Sequence, residues 1–315
     1  MKNIKIIEAP SEIGAGTRGA SMGVDAIKIA ALDFMSNFFV HFPSEKIPAP
    51  NDLLFEPIFS PYAKRINGVL TMNELIANSV YETIKSNFFP VVLSGDHSNA
   101  GGTIAGIKMA KPKSKLGVIW IDAHADMHTP YTTPSGNMHG MPLAAAIADD
   151  NKESQTHELD EKTAKQWDQL KSIGKIPQKV LPEDVVFIGL RDYEKEEKHL
   201  IEKHGMKVIT TAELRRIGAE NVSRKAIRYL SDCTDIYVSF DVDSLDSSIS
   251  KGTGTPVSNG LKEREAEDLI SKFMQNRKIC CFEITEVNPT LDKENLMAEI
   301  AFNILQRSVN VLMMN

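Results

Sequence analysis

The apolar run Leu116–Ile121 ends in Asp122-Ala123-His124-Ala125-Asp126-Met127-His128-Thr129. Two carboxylates and an imidazole therefore emerge at alternate positions behind a buried strand. In extended backbone, residues i and i+2 share a face about 7 Å apart, so Asp122, His124 and Asp126 can look into one pocket. A sulfur-free Asp/His set suits a hard or borderline divalent ion, with manganese favoured over zinc. Asp and His also close ordinary turns after strands, so the metal reading depends on partners elsewhere. Two other runs supply them. Pro90–Leu93 leads into Ser94-Gly95-Asp96-His97-Ser98, and Asp235–Val238 leads into Ser239-Phe240-Asp241-Val242-Asp243-Ser244-Leu245-Asp246. In an open parallel sheet, ligands gather outside the carboxyl ends of the strands. Convergence of these ends brings together His97, Asp122, His124, Asp126, Asp241 and Asp243. Four carboxylates balance two divalent cations, which makes a two-metal site electrically sensible.

The rest of the chain sets these runs in an alternation of strands and helices. Ile4–Ala9, Val185–Leu190, Met206–Ile209 and Ile279–Ile284 have strand character, and an edge strand is expected around Leu53–Phe55. Helical patterns cover Val24–Phe34, Asn67–Phe88, Gly101–Lys108, Met141–Ala148, Ala219–Ser231, Glu263–Gln275 and Asn295–Val309. Such alternation predicts an α/β fold, a three-layer α/β/α arrangement with a mostly parallel central sheet. One domain over residues 1–315 is expected, with a polar surface insertion at 149–179 that contains a helix around Trp167.

Gly14-Ala15-Gly16-Thr17-Arg18-Gly19 fits G-x-G-x-x-G between a strand and a helix, which offers a rival: a nicotinamide-dependent oxidoreductase. That reading requires an acidic residue about 20 positions on, after a second strand. The run Phe38–Pro43 ends without one, and the glycines are better taken as a loop at the mouth of the site. Arg18 is open as a surface cation or an oligomer contact.

The net charge of −6 gives no reason to expect nucleic acid or an anionic membrane as a partner. No apolar run approaches the roughly 18 residues of a membrane span. The N-terminal residues enter a strand directly, without a signal-peptide core. Cys233, Cys280 and Cys281 lack metal or redox spacing, which fits reduced thiols in a cytoplasm.

Two ions that share a water can hold hydroxide at neutral pH, ready to attack phosphorus, a carbonyl carbon or a guanidinium carbon. A phosphate site would want Arg and Lys beside the metals. Here Glu286, Glu194 and Asp246 are acidic, so a small cationic substrate is favoured, and guanidinium suits a carboxylate through its planar fork of donors.

With these residues in place, the chain resembles the ureohydrolases and, among them, the arginases. The likeness extends from Ser11-Glu12-Ile13-Gly14 to Glu286-Val287-Asn288-Pro289. It includes Ser135-Gly136-Asn137-Met138-His139-Gly140 and Gly252-Thr253-Gly254-Thr255-Pro256. The resemblance implies hydrolysis of L-arginine to L-ornithine and urea by a hydroxide held between two Mn2+ ions, with Co2+ as a substitute, in a homo-oligomer (trimer or hexamer). It gives Asp126 a place in the catalytic centre, pairs Glu286 with the guanidinium, sets Thr255 beside it, and makes His139 the proton shuttle. Asp246 becomes a residue behind the ligands. Thr133, Ser135 and Asn137 match the loop that meets the α-carboxylate. At two positions the chain departs from the usual arginase pattern: His128 replaces Asn, and Glu194 replaces the Asp that meets the α-amino group. The alternatives are agmatinase, a guanidino-acid hydrolase or formimidoylglutamase, and outside that class the oxidoreductase or a non-catalytic metal-binding homologue.

Overall fold

The computed structural model describes residues 2–314. Its centre is a sheet of eight strands: β1 Asn3–Ala9, β2 Ser44–Lys46, β3 Phe88–Ser94, β4 Leu116–Ile121, β5 Val185–Ile188, β6 Lys207–Ile209, β7 Asp235–Asp241 and β8 Ile279–Thr285. The spatial order is β2-β1-β3-β8-β7-β4-β5-β6, and every neighbouring pair is parallel. The expected mostly parallel sheet is thus wholly parallel among the described strands. Residues alternate between its faces. Ile6, Leu93, Ile119, Ile121 and Val238 pack with Val24, Leu269 and Leu305 from helices on one side. Ile7, Val92, Val118, Trp120 and Tyr237 pack with Ile76, Ile104 and Leu143 on the other. Strands buried on both sides need apolar residues at nearly every position, which is why β4 reads as the continuous run LGVIWI.

The order explains how distant segments meet. β3 and β4 follow one another in the chain but stand apart in the sheet, and the late strands β8 and β7 fill the space between them. All strands point the same way, so the loops after β3, β8, β7 and β4 emerge side by side at one edge. This is where ligands bind in open parallel sheets.

Two local expectations are corrected. Asn51–Phe55 is a 3-10 turn, and the edge strand is the short, wholly exposed Ser44–Lys46. Pro48, Pro50 and Pro57 around the turn withhold the amide donors that a ladder needs. Phe38–His41 is a short helix rather than a strand, with Phe38 turned inward onto Phe302. No second strand of a dinucleotide fold therefore follows the glycine loop. Within 149–179, helix Glu161–Lys171 starts at Asp160, whose side chain accepts the amide of Thr163. Trp167 of this helix is fully buried with Ile66, Val69 and Ala105, and its indole donates to Asp150. Among the described residues, no helix is long and apolar enough to cross a membrane.

Candidate metal centre

His97 begins the turn after β3, and its ring is stacked on Trp120 of β4 with centroids 4.0 Å apart. Ser239 of β7 meets its Nε2 at 2.7 Å, so the ring is fixed from behind. The other nitrogen, Nδ1, faces Asp122 Oδ2 at 3.0 Å, Asp126 Oδ2 at 2.9 Å and Asp241 Oδ2 at 3.2 Å. It is buried and makes no aligned hydrogen bond, and neither does Asp122 Oδ2. Four donor atoms thus converge on one point instead of pairing, as ligands round an ion do.

A second group adjoins the first. His124 Nδ1 lies 3.0 Å from Asp243 Oδ2 and 3.6 Å from Asp122 Oδ1. Asp122 belongs to both groups. The spare oxygens are tied to backbone: Asp241 Oδ1 accepts the amide of Asp243 at 2.7 Å, and Asp243 Oδ1 that of Ala123 at 3.2 Å. All six residues proposed from the sequence as ligands come together here.

The electrostatics fit cations. Burial alone would depress the imidazoles of His97 and His124, but the surrounding carboxylates override it and raise both. Burial, then the charge of Asp122, pushes Asp126 up to about 6. Four buried carboxylates in contact need compensating positive charge, and a pair of divalent ions supplies it. The donor set, with two neutral imidazoles and no sulfur, fits such a pair.

Two residues at this edge hold a left-handed backbone that costs non-glycine residues on the order of 1–3 kcal/mol: Asp126 at φ 52° and Glu286 at φ 66°. The amide of Glu286 still pairs with Gly95, so β8 runs in register to its last residue and then turns its carboxylate across the site. Glu286 Oε1 accepts the amide of His97 at 2.9 Å and faces His139 Nδ1 at 3.1 Å. Burial opposes its charge, yet His139 and that amide hold the carboxyl below its usual range. Burial likewise opposes charge on His139, but Glu286, Asp126 and Asp96 raise it to about 9.

The remaining expected residues form a rim. Thr133 is buried and accepts the amides of Ser135 and Gly136, Ser135 accepts that of Asn137, and Asn137 meets Lys64 at 3.1 Å. His128 Nε2 lies 3.1 Å from Glu194 Oε2. Thr255 donates to Asp243 at 2.9 Å, so its hydroxyl serves a ligand of the second group rather than Glu286. Asp246 accepts from Ser248 and Gly260, which makes it a turn anchor. Arg18 donates to the carbonyls of Glu12 and Ala15 and stays half-exposed.

Three contributors escaped the sequence reading. Asp96 is fully buried and ties the glycine loop to the site through the amides of Gly14 and Ser98. A Cβ on Gly14 would lie 2.5 Å from the Ser98 hydroxyl and 2.7 Å from Asp96, so these glycines permit close packing against the site wall rather than cradling a phosphate. Ser239 was signalled by its position two residues before Asp241, on the same strand face. Glu197, buried beside His128, was signalled only by the Glu194-x-x-Glu197 capping box of helix Lys195–Lys203.

A wholly parallel α/β sheet with two Asp/His clusters sharing one aspartate at its carboxyl edge defines a dinuclear-metal hydrolase scaffold. The chain belongs to the arginase family, whose model matches residues 2–309. Relatives described as arginases include those of Brevibacillus brevis, 37% identical over 96% of both chains, and Bacillus caldovelox, 36% identical over 97% of both. A solved arginase structure from Bacillus subtilis is 35% identical, with a TM-score of 0.82 over 98% of each chain. A formimidoylglutamase from the same species shares the fold, with a TM-score of 0.75 at 18% identity over 99% of this chain and 87% of that one.

Proposed function

We propose that the protein hydrolyses L-arginine to L-ornithine and urea with two Mn2+ ions. The observation that carries this is the buried carboxylate of Glu286, set across the pocket by a left-handed backbone between His139 and the first cluster. With the four cluster carboxylates balanced by two divalent ions, the charge of Glu286 is left to select a cation; its Oε1 is held by the His97 amide and His139, and its Oε2 is the oxygen offered to a guanidinium N–H. His97, Asp122, Asp126 and Asp241 would hold one ion; Asp122, His124 and Asp243 would hold the other. When bound, the pair lowers the pKa of a water and so supplies a nucleophile near neutral pH. Glu286 would bind the guanidinium and turn its carbon toward the two clusters. His139 has Nδ1 engaged by Glu286, so proton delivery to the departing amine falls to Nε2. The loop Thr133–Asn137 and the Glu194–Glu197 turn are assigned to the α-carboxylate and α-ammonium ends. The 36–37% identical arginases support the choice of arginine.

A substrate series tests the reading. L-Arginine should exceed agmatine in kcat/KM by at least ~10²-fold, because a site built around a charged group is left with unpaired polar atoms by an analogue lacking it. Ser135→Ala should erase much of that margin. Equal or better turnover of agmatine would overturn the substrate assignment.

The proton role makes a separate prediction. His139→Asn should retain both ions and lower kcat by about 10²-fold. A raised pKa keeps His139 protonated, and so able to donate, below its folded value, and the donor is lost as pH rises through it. Ions in the adjoining cluster pull that value down, so the parent's alkaline limb should fall at or below about pH 9. The variant should lack the limb. An unchanged profile would remove His139 from the mechanism.

A further inference from the structure

At the edge of the pocket, outside the two Asp/His clusters, His128, Glu194 and Glu197 direct one donor atom each into a common space, all within 4.8 Å of one another. His128 Nε2 is 3.1 Å from Glu194 Oε2 and 3.6 Å from Glu197 Oε2. Donors around one tetrahedral zinc ion stand about 3.3 Å apart when bonds are about 2.0–2.1 Å, so this triad is already near the spacing of a bound ion. We propose that it is a third divalent-cation site, suited to zinc, with one nitrogen and two oxygen ligands and a position open to water.

The support behind each ligand is what distinguishes this triad from a chance meeting of charges. The His128 ring is buried, and its Nδ1 faces the Thr132 hydroxyl at 3.2 Å. That hydroxyl also accepts the amide of Thr129 at 3.0 Å. Metal-bound histidines are typically held this way, the far nitrogen anchored so that the near one presents its lone pair. Glu197 is 3% exposed; its Oε1 accepts the amide of Met127 at 3.0 Å, and its Oε2, held by the amide of Glu194 at 3.2 Å, lies 3.6 Å from His128 Nε2. Glu194 stands at the start of helix Lys195–Lys203, where its side chain caps the helix, meets His128 and is 54% exposed, so this side of the triad opens to solvent. Two buried ligands and one exposed ligand make a site that an ion can enter from solvent. The nitrogen donor depends on the departure already noted at His128, since the amide of an asparagine is a far poorer zinc ligand than an imidazole.

The kinetic consequence, though not the binding, rests on the proposed function. Glu194 and Glu197 are the groups assigned to the substrate's α-ammonium, so an ion held there competes with arginine.

The manganese-loaded enzyme, equilibrated with graded zinc chloride and analysed for both elements, tests the proposal. The parent should take up one zinc per subunit with manganese retained. His128→Asn, and Glu194→Gln at the exposed position where folding is not at risk, should each weaken that uptake at least ~10-fold. Zinc X-ray absorption should show one imidazole nitrogen among oxygen donors. The same zinc should raise the apparent KM for arginine several-fold in the parent and not in Glu194→Gln. Equal uptake by parent and variants, or uptake only as manganese is lost, would overturn the third site. Uptake as expected without a rise in KM would overturn its placement in the substrate path while leaving arginine hydrolysis to stand on its own measurement.

Discussion

Asp243→Ala should leave the protein with at most one firmly held divalent ion and lower kcat/KM for arginine by on the order of 10³-fold or more. Asp243 faces His124 through one oxygen and the amide of Ala123 through the other, and it receives the Thr255 hydroxyl. Alanine therefore removes a ligand and also releases two groups that position the second cluster. Several kcal/mol of activation of the attacking water depend on the paired ions, and each 1.36 kcal/mol is tenfold in rate. The ions bind only the folded chain, so metal-dependent thermal stabilisation should shrink as well. Elemental analysis after manganese loading, with melting curves with and without chelator, reads both effects. Two retained ions and near-parent activity would remove Asp243 from the metal site.

Glu286→Gln should cost about 10²–10⁴-fold in kcat/KM with both ions still bound. The amide keeps the side chain's shape and can still accept the His97 amide, so the local backbone should survive. The negative charge is lost, and leaving one partner of a buried ion pair uncompensated costs about 3–5 kcal/mol. The change also reaches His139. With Glu286 neutral, burial gains on the remaining carboxylates, and the imidazole pKa moves down from its raised value. The variant should therefore lose activity at a lower pH than the parent. Steady-state kinetics over pH with metal analysis measure this. A variant of parental kcat/KM would place the guanidinium elsewhere.

The metal cluster was legible from sequence because apolar strand runs deliver metal-type side chains to one edge of the sheet, although only Asp241 lies within a strand: Asp122, His124 and Asp126 follow β4 in irregular backbone and Asp243 sits in a 3-10 turn. Asp122, His124, Asp126, Asp241 and Asp243 sit at alternate positions after apolar runs, and each run became a strand pointing the same way. The late filling of the sheet centre by β7 and β8 was not legible, since no local pattern encodes which strands become neighbours. The missed strand at Ser44–Lys46 has the complementary cause. It is three residues long and wholly exposed, so it carries no apolar alternation, whereas the apolar Leu53–Phe55 lies in a turn whose prolines exclude pairing. Phe38–Phe42 misled similarly, because a run of aromatics reads as a strand until tertiary packing against Phe302 decides otherwise. Ser239, Asp96 and Glu197 act on ligands or loops through side-chain contacts with residues distant in sequence, and such contacts leave no periodic trace.

Hydrolysis of arginine at its guanidinium carbon is tested most directly with L-arginine carrying 13C at that carbon, followed by NMR on the manganese-loaded enzyme. The label should pass into urea, with one equivalent of ornithine formed alongside. Label appearing in citrulline, or remaining in arginine while agmatine or a formimino acid is consumed, would contradict the assignment of Glu286, His139 and the two clusters to this reaction.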